Sequence, residues 1–97
     1  MKNVDLESQF EEMSLLFKMF SDSTRLKILN LLFEKERCVS DFIEELQMSQ
    51  SAVSHQLASL KKTHLIKSRK AGKNVYYSLA DEHIESIFKM ALDHVNE

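Results

Sequence analysis

The sequence predicts a mainly α chain with one small β-hairpin, an α+β arrangement in the order α-α-α-α-β-β-α. Three observations carry this. Apolar residues recur at helical spacing over most of the 97 residues. There is no proline and a single glycine, Gly72, which disfavours collagen-like and many-turn β architectures. The period changes around that glycine, where Val75, Tyr76 and Tyr77 bring in β-formers.

Phe10, Met13, Leu16, Phe17 and Phe20 follow one helical period, so a first helix is expected from about Leu6 to Phe20. Ser21, Asp22 and Ser23 supply N-cap candidates for a second. Its residues Leu26, Ile28, Leu29, Leu31, Leu32 and Phe33 are apolar nearly all round, the pattern of a central, buried helix. The polar run Glu34–Arg37 ends it. A short helix over about Ser40–Leu46 buries Phe42, Ile43 and Leu46. Gln47 and Met48 make a tight turn. Ser49 then caps a helix from about Gln50 to Thr63, whose inward stripe is Val53, Leu57 and Leu60. Ile66–Ala71 and Asn74–Leu79 read as strands, with Gly72 where a hairpin turn needs positive φ. Asp81 caps a last helix that reaches about Glu97.

A short helix, a tight turn and a second helix form a helix-turn-helix over about residues 40–63. The hairpin that follows, about 66–79, makes a wing. The whole chain, 1–97, thus reads as a single winged helix-turn-helix DNA-binding domain. A chain this short buries only about 60–65 % of its unfolded surface, so a homodimer, built through the first and last helices, is expected to stabilise it.

Charge distribution supports the same reading. From Gln47 to Ala80 there is no Asp or Glu, while Lys61, Lys62, Lys67, Arg69, Lys70 and Lys73 give +6; the rest of the chain carries −8. An acid-free block of 34 residues in an acidic protein is either a solvated basic surface or a polyanion-binding face. The helix-turn-helix order favours the second, with double-stranded DNA as the partner. Gln50, Ser51, Ser54 and His55 point away from the inward stripe of their helix, and small polar residues there can approach base edges. Lys61, Lys62, Arg69, Lys70 and Lys73 are the candidates for phosphate contacts.

Composition excludes other classes. With 43 % apolar and 29 % charged residues the chain is not disordered. One cysteine, Cys38, permits no intramolecular disulfide framework and fits a reducing cytosol. The acidic start, MKNVDLESQFEEM, has no apolar core of a signal peptide, and no apolar run approaches the ~20 residues of a membrane span. A cytoplasmic protein without a membrane partner is expected. There is no glycine-rich loop, no catalytic triad and too little chain for a cleft, so no catalytic residue is assigned and the chain is not expected to be an enzyme.

The last helix carries a second constellation: Asp81, His83, His94 and Glu97. At 100° per residue, His94 lies about 20° and Glu97 about 40° from His83 around the axis. Along the axis the two histidines are about 16 Å apart, too far for one ion with bonds of about 2 Å. Either these are unrelated surface residues or another chain completes the set. Two such helices pairing antiparallel about a two-fold axis would bring Asp81 and His83 of one protomer to His94 and Glu97 of its mate, twice. Asp81 fits only as a cap, because within the helix it would point about 160° away from His83. An apolar stripe, Ile84, Ile87, Phe88, Ala91 and Val95 with Leu92 on its edge, runs beside this face.

These features together resemble the ArsR/SmtB family of winged-helix metal-responsive repressors, through FKMFSDSTRLKILNLL, MSQSAVSHQLASLKKTHLIKSRKAGKNVYYSL and DEHIESIFKMALDHVNE. The last segment resembles the C-terminal-helix site of its zinc-sensing branch. That implies Asp81, His83, His94 and Glu97 as ligands for Zn(II) as inducer, with Co(II) as surrogate. It implies a metal-free dimer bound to operator DNA and released by metal, controlling metal-efflux or sequestration genes. The resemblance also makes His64 an allosteric relay, through a hydrogen bond to its backbone from a ligating histidine. One departure stands out. ERCVSDF resembles the family's cysteine box, but Ser40 replaces the second cysteine, which leaves a thiolate-rich site incomplete. Cys38 then reads as a small buried apolar residue. The alternatives are a residual Cys38–Asp41 site for a softer metal, a redox response at Cys38, or a regulator independent of metal.

Overall fold

The computed structural model describes residues 5–97. Its elements are α1 (Leu6–Met19), α2 (Ser23–Glu34), β1 (Arg37–Cys38), α3 (Val39–Leu46), α4 (Gln50–Lys62), β2 (Ile66–Ala71), β3 (Asn74–Leu79) and α5 (Glu82–Val95). The five helices and the hairpin are those expected, most with ends moved by one or two residues. The addition is β1, two residues too short to show a period. It pairs antiparallel with β3, giving a three-stranded sheet of order β1-β3-β2.

Side chains settle the helix ends. Asp22 caps α2, accepting the Arg25 amide at 3.0 Å. Arg25 turns back and donates from Nε to the Met19 carbonyl at 3.0 Å and from Nη2 to that of Lys18 at 3.2 Å, which satisfies the C-terminal carbonyls of α1. Arg37 does the same for α2: its Nε donates to the Leu31 carbonyl at 3.1 Å and its Nη2 pairs with Glu34 at 2.7 Å. Arg37 is buried, and these partners make that burial tolerable. Asp41 accepts the Cys38 amide at 3.1 Å at the start of α3, and this bond holds its carboxyl below the ordinary aspartate range.

The core lies between α2, α3, α4 and the inner face of the sheet. Ile28, Leu29, Phe42, Val53, Leu57, Leu60 and Leu65 are its fully buried members. The hairpin closes through the two-residue loop Gly72–Lys73, between the paired Ala71 and Asn74. Gly72 has φ +63°, and a Cβ built there would meet nothing within 4 Å. The dihedral alone calls for glycine.

The first and last helices are only partly covered. Phe10, Met13 and Phe17 of α1 stay about half exposed although they share a helical period, and only Met19 is buried. The apolar stripe of α5 divides. Ile84 and Phe88 are buried, with the Phe88 ring 5.4 Å from that of Phe33, while Leu92 and Val95 remain exposed, Val95 at 74 %. An open apolar hollow of about 400 Å³ lies between α2 and α5, lined by Phe20, Leu26, Phe88, Ala91, Leu92 and Val95.

Candidate functional site

The helix-turn-helix is built from α3, a turn and α4. Gln47 ends α3 in the left-handed conformation, φ 54°, which turns the chain sharply towards α4. Ser49 caps α4, its Oγ accepting the Ala52 amide at 3.1 Å. With Val53, Leu57 and Leu60 buried, the opposite face presents Gln50, Ser51, Ser54 and His55, all exposed. Lys61 and Lys62 stand exposed in the last turn, where positive charge also suits the helix dipole. Lys70 and Lys73 flank the wing tip. Among the described residues, none of these four lysines has a carboxylate within 4.0 Å. Arg69 differs: it forms a bidentate pair with Glu36, at 2.7 and 2.8 Å.

His64 occupies an unusual position. After the C-cap Thr63 it holds φ +64°, while its amide donates to the Lys61 carbonyl at 3.1 Å and the Leu65 amide to that of Leu60 at 3.0 Å. This is a Schellman motif with histidine where glycine is usual. The sequence signalled nothing of the sort, because no glycine marks the spot.

On α5 the four singled-out residues form two pairs. Asp81 is the N-cap, its Oδ1 accepting the His83 amide at 2.9 Å and the Ile84 amide at 3.2 Å. The Ile84 bond is the largest of the effects that hold its carboxyl below the ordinary range. The same Oδ1 lies 3.4 Å from His83 Nδ1. At the other end α5 stops at Val95 with Asn96 as C-cap, so Glu97 lies beyond the helix rather than on it. Its Oε2 still lies 3.6 Å from His94 Nδ1. All four side chains are more than half exposed.

Two donors bound to one tetrahedral zinc at about 2.0–2.1 Å stand about 3.3 Å apart. The 3.4 and 3.6 Å separations are close to that bite, and nitrogen and oxygen donors suit the ion. Each pair supplies two donors of a needed four. Among the described residues, no three His, Cys, Asp or Glu side chains gather as a metal site within the chain. Cys38 is only partly buried rather than buried as expected, because its Sγ lies among polar groups, 3.1 Å from Ser40 Oγ and 3.4 Å from Asp41 Oδ2, a set with one soft donor.

Comparison with known proteins bears on the whole chain. Residues 22–68, from the cap of α2 into the wing, match the model of the arsR family of bacterial regulatory proteins. A transcriptional repressor SmtB homolog from Synechocystis is 40 % identical over 89 residues, 92 % of this chain and 67 % of that protein. A cadmium resistance regulatory protein CadC homolog from Staphylococcus aureus is 43 % identical over 83 residues, 84 % of this chain and 69 % of that protein. The homodimeric winged helix-turn-helix DNA-binding domain of a Mycobacterium bovis protein superposes with a TM-score of 0.91 at 25 % identity, covering 100 % of this chain and 92 % of that one. No helix among the described residues is long and apolar enough to cross a membrane. With its fold, its helix-turn-helix and its sequence in agreement, the chain belongs to the ArsR family of DNA-binding transcriptional regulators, which are not enzymes.

Proposed function

We propose that this protein is a metal-responsive repressor whose metal-free homodimer binds operator DNA and whose affinity for DNA falls when Zn(II) binds between the subunits. The observation that carries the reading is the pair of incomplete donor sets at opposite ends of α5. Antiparallel pairing of two α5 helices would join Asp81 and His83 of one protomer with His94 and Glu97 of its partner, in two equivalent sites. The uncovered apolar residues of α1 and of the second half of α5 supply a dimer surface for that pairing. Names of related proteins, a repressor and a cadmium-resistance regulator, support metal response. The choice of zinc rests on donors without thiolate, which also accept Co(II).

On the DNA side, Gln50, Ser51, Ser54 and His55 read the major groove, and Lys61, Lys62, Arg69, Lys70 and Lys73 supply the positive face. Zinc pins the α5 helices and biases the dimer against the spacing its recognition helices need. His64, at the end of α4, relays that bias through its backbone. Reciprocity requires DNA to weaken zinc binding by the same factor, and a ~10⁴-fold swing needs about 5.5 kcal/mol of coupling.

The direct test is an operator titration with and without saturating Zn(II). Affinity at least about tenfold lower with zinc is the expected result. Equal affinity in both would end the zinc-response reading and leave a DNA-binding regulator with another inducer.

A further inference from the structure

Glu36 sits in the connection between α2 and β1, and Arg69 lies 33 residues later in β2. Arg69 Nε donates to Glu36 Oε2 at 2.8 Å and Nη2 to Oε1 at 2.7 Å. The guanidinium carbon lies 5.0 Å from the centroid of the Tyr76 ring, and Tyr76 is the cross-strand partner of Arg69. The fork is therefore held along its edge by a group next to β1 and across its face by a group on β3. Glu36 belongs to the sequence outside the acid-free block, yet it folds back against that block's strands. The hydrogen bond between them depresses the Glu36 carboxyl and raises the Arg69 guanidinium, so both stay charged. Ordinary exposed ion pairs contribute little. A planar, two-point fork on an aromatic face is the geometry that contributes more.

Position gives the pair its meaning. Glu36 is followed at once by β1, and β1 runs directly into α3, the first helix of the helix-turn-helix. We propose that Glu36, Arg69 and Tyr76 form a clasp that fixes the angle of the wing against the helix-turn-helix, making Arg69 a positioning residue for DNA binding rather than a phosphate ligand. The proposal rests on the DNA-binding reading and refines it. It also sets a sign opposite to plain electrostatics. Removing an acid near a basic face should favour DNA. Removing this acid frees a wing that must then be ordered on binding, so affinity falls.

The test uses the full chain, with Glu36→Gln, Arg69→Gln, Arg69→Lys and the double variant Glu36→Gln/Arg69→Gln. The probe is a duplex selected from a random library by the wild-type protein. Anisotropy titrations across salt concentrations are paired with amide exchange of Val75 and Tyr76 in the absence of DNA. Every variant, Arg69→Lys included, is expected to bind about three- to tenfold more weakly, the range of roughly 1 kcal/mol. The double variant should lose no more than either single one. The salt slope should stay at the wild-type value and wing exchange should quicken. Tighter binding by Glu36→Gln would overturn the clasp. So would rescue by Arg69→Lys, or a slope shallower by about two per dimer in Arg69→Gln, since either makes Arg69 a phosphate ligand that Glu36 shields. A wild-type protein that selects no duplex would defeat the DNA-binding reading itself. Exchange alone then decides, and unchanged exchange in Glu36→Gln overturns the clasp.

Discussion

Leu65 donates its backbone N–H to the carbonyl of Leu60 at 3.0 Å, and both side chains are fully buried. The bond spans the end of α4 and forces the residue before Leu65 into a left-handed conformation. That residue is His64, at φ +64°. The second helix of the helix-turn-helix, α4, and the strand that starts the wing are joined at this point.

A residue with a Cβ held there costs roughly 1–2 kcal/mol relative to its relaxed backbone. His64→Gly should therefore raise stability by about 1 kcal/mol in urea denaturation, and His64→Val should lower it. If His64 acts through its backbone alone, His64→Gly should also retain the zinc effect on DNA affinity. Loss of that effect in a well-folded variant would assign the relay to the imidazole.

Metal binding across a two-fold axis has a signature in mixtures. His83→Ala and His94→Ala homodimers should each bind no Co(II) in the intersubunit sites. Exchanged together in equal amounts, half the dimers are mixed and each holds one intact site of two. The visible Co(II) absorption should then return to about a quarter of the wild-type amplitude. No recovery after verified subunit exchange would exclude sites shared in this way.

Salt dependence reports the phosphate contacts. A dimer that neutralises ~8 phosphates should show a log–log slope of about −7. Lys73→Gln should make the slope shallower by about two, since each protomer loses one contact. An unchanged slope would remove Lys73 from the interface.

The α1 stripe should belong to the dimer contact. Phe10→Glu is expected to raise the dimer dissociation constant about 30-fold or more, as measured by sedimentation equilibrium. Dimerisation as tight as in the wild type would locate the contact elsewhere.

The Asp41 cap makes stability depend on pH with a definite sign. The Cys38 amide lowers the folded carboxyl pKa, so its stabilisation is fully present above the unfolded pKa and is lost as pH falls through the folded one. Asp41→Asn should be less stable by about 1 kcal/mol at neutral pH. Urea midpoints of the two proteins should converge on acidification below about pH 4. A constant gap would mean that the carboxylate charge plays no part.

Local chemistry made much of this molecule legible. Ser49 and Asp81 announced two caps, Gly72 the hairpin turn, and Val53, Leu57 and Leu60 the buried side of α4. The nearness of Glu97 to His94 followed from helical spacing, although Glu97 reaches His94 from beyond the helix; Asp81 meets His83 only as the cap of α5, since helical spacing alone would point it away. What stayed hidden depends on distance in sequence or on an absent cue. Two residues of β1 carry no period. The contact of Glu36 with Arg69 crosses 33 residues, and counting charge by blocks placed the acid away from the basic strands it joins. The left-handed Gln47 and His64 lack the glycine that usually reports such a backbone.

Gly72 forms the tip of the wing with Lys73. Space around it is open, so what the loop demands is handedness and not smallness. A mirror-image residue meets that demand, because a D-amino acid favours positive φ where an L-residue is strained. Semisynthesis with D-alanine at this position should give a wing stiffer than the natural one, whereas L-alanine should loosen it. The tip of the wing would then distinguish two molecules of identical composition by chirality alone.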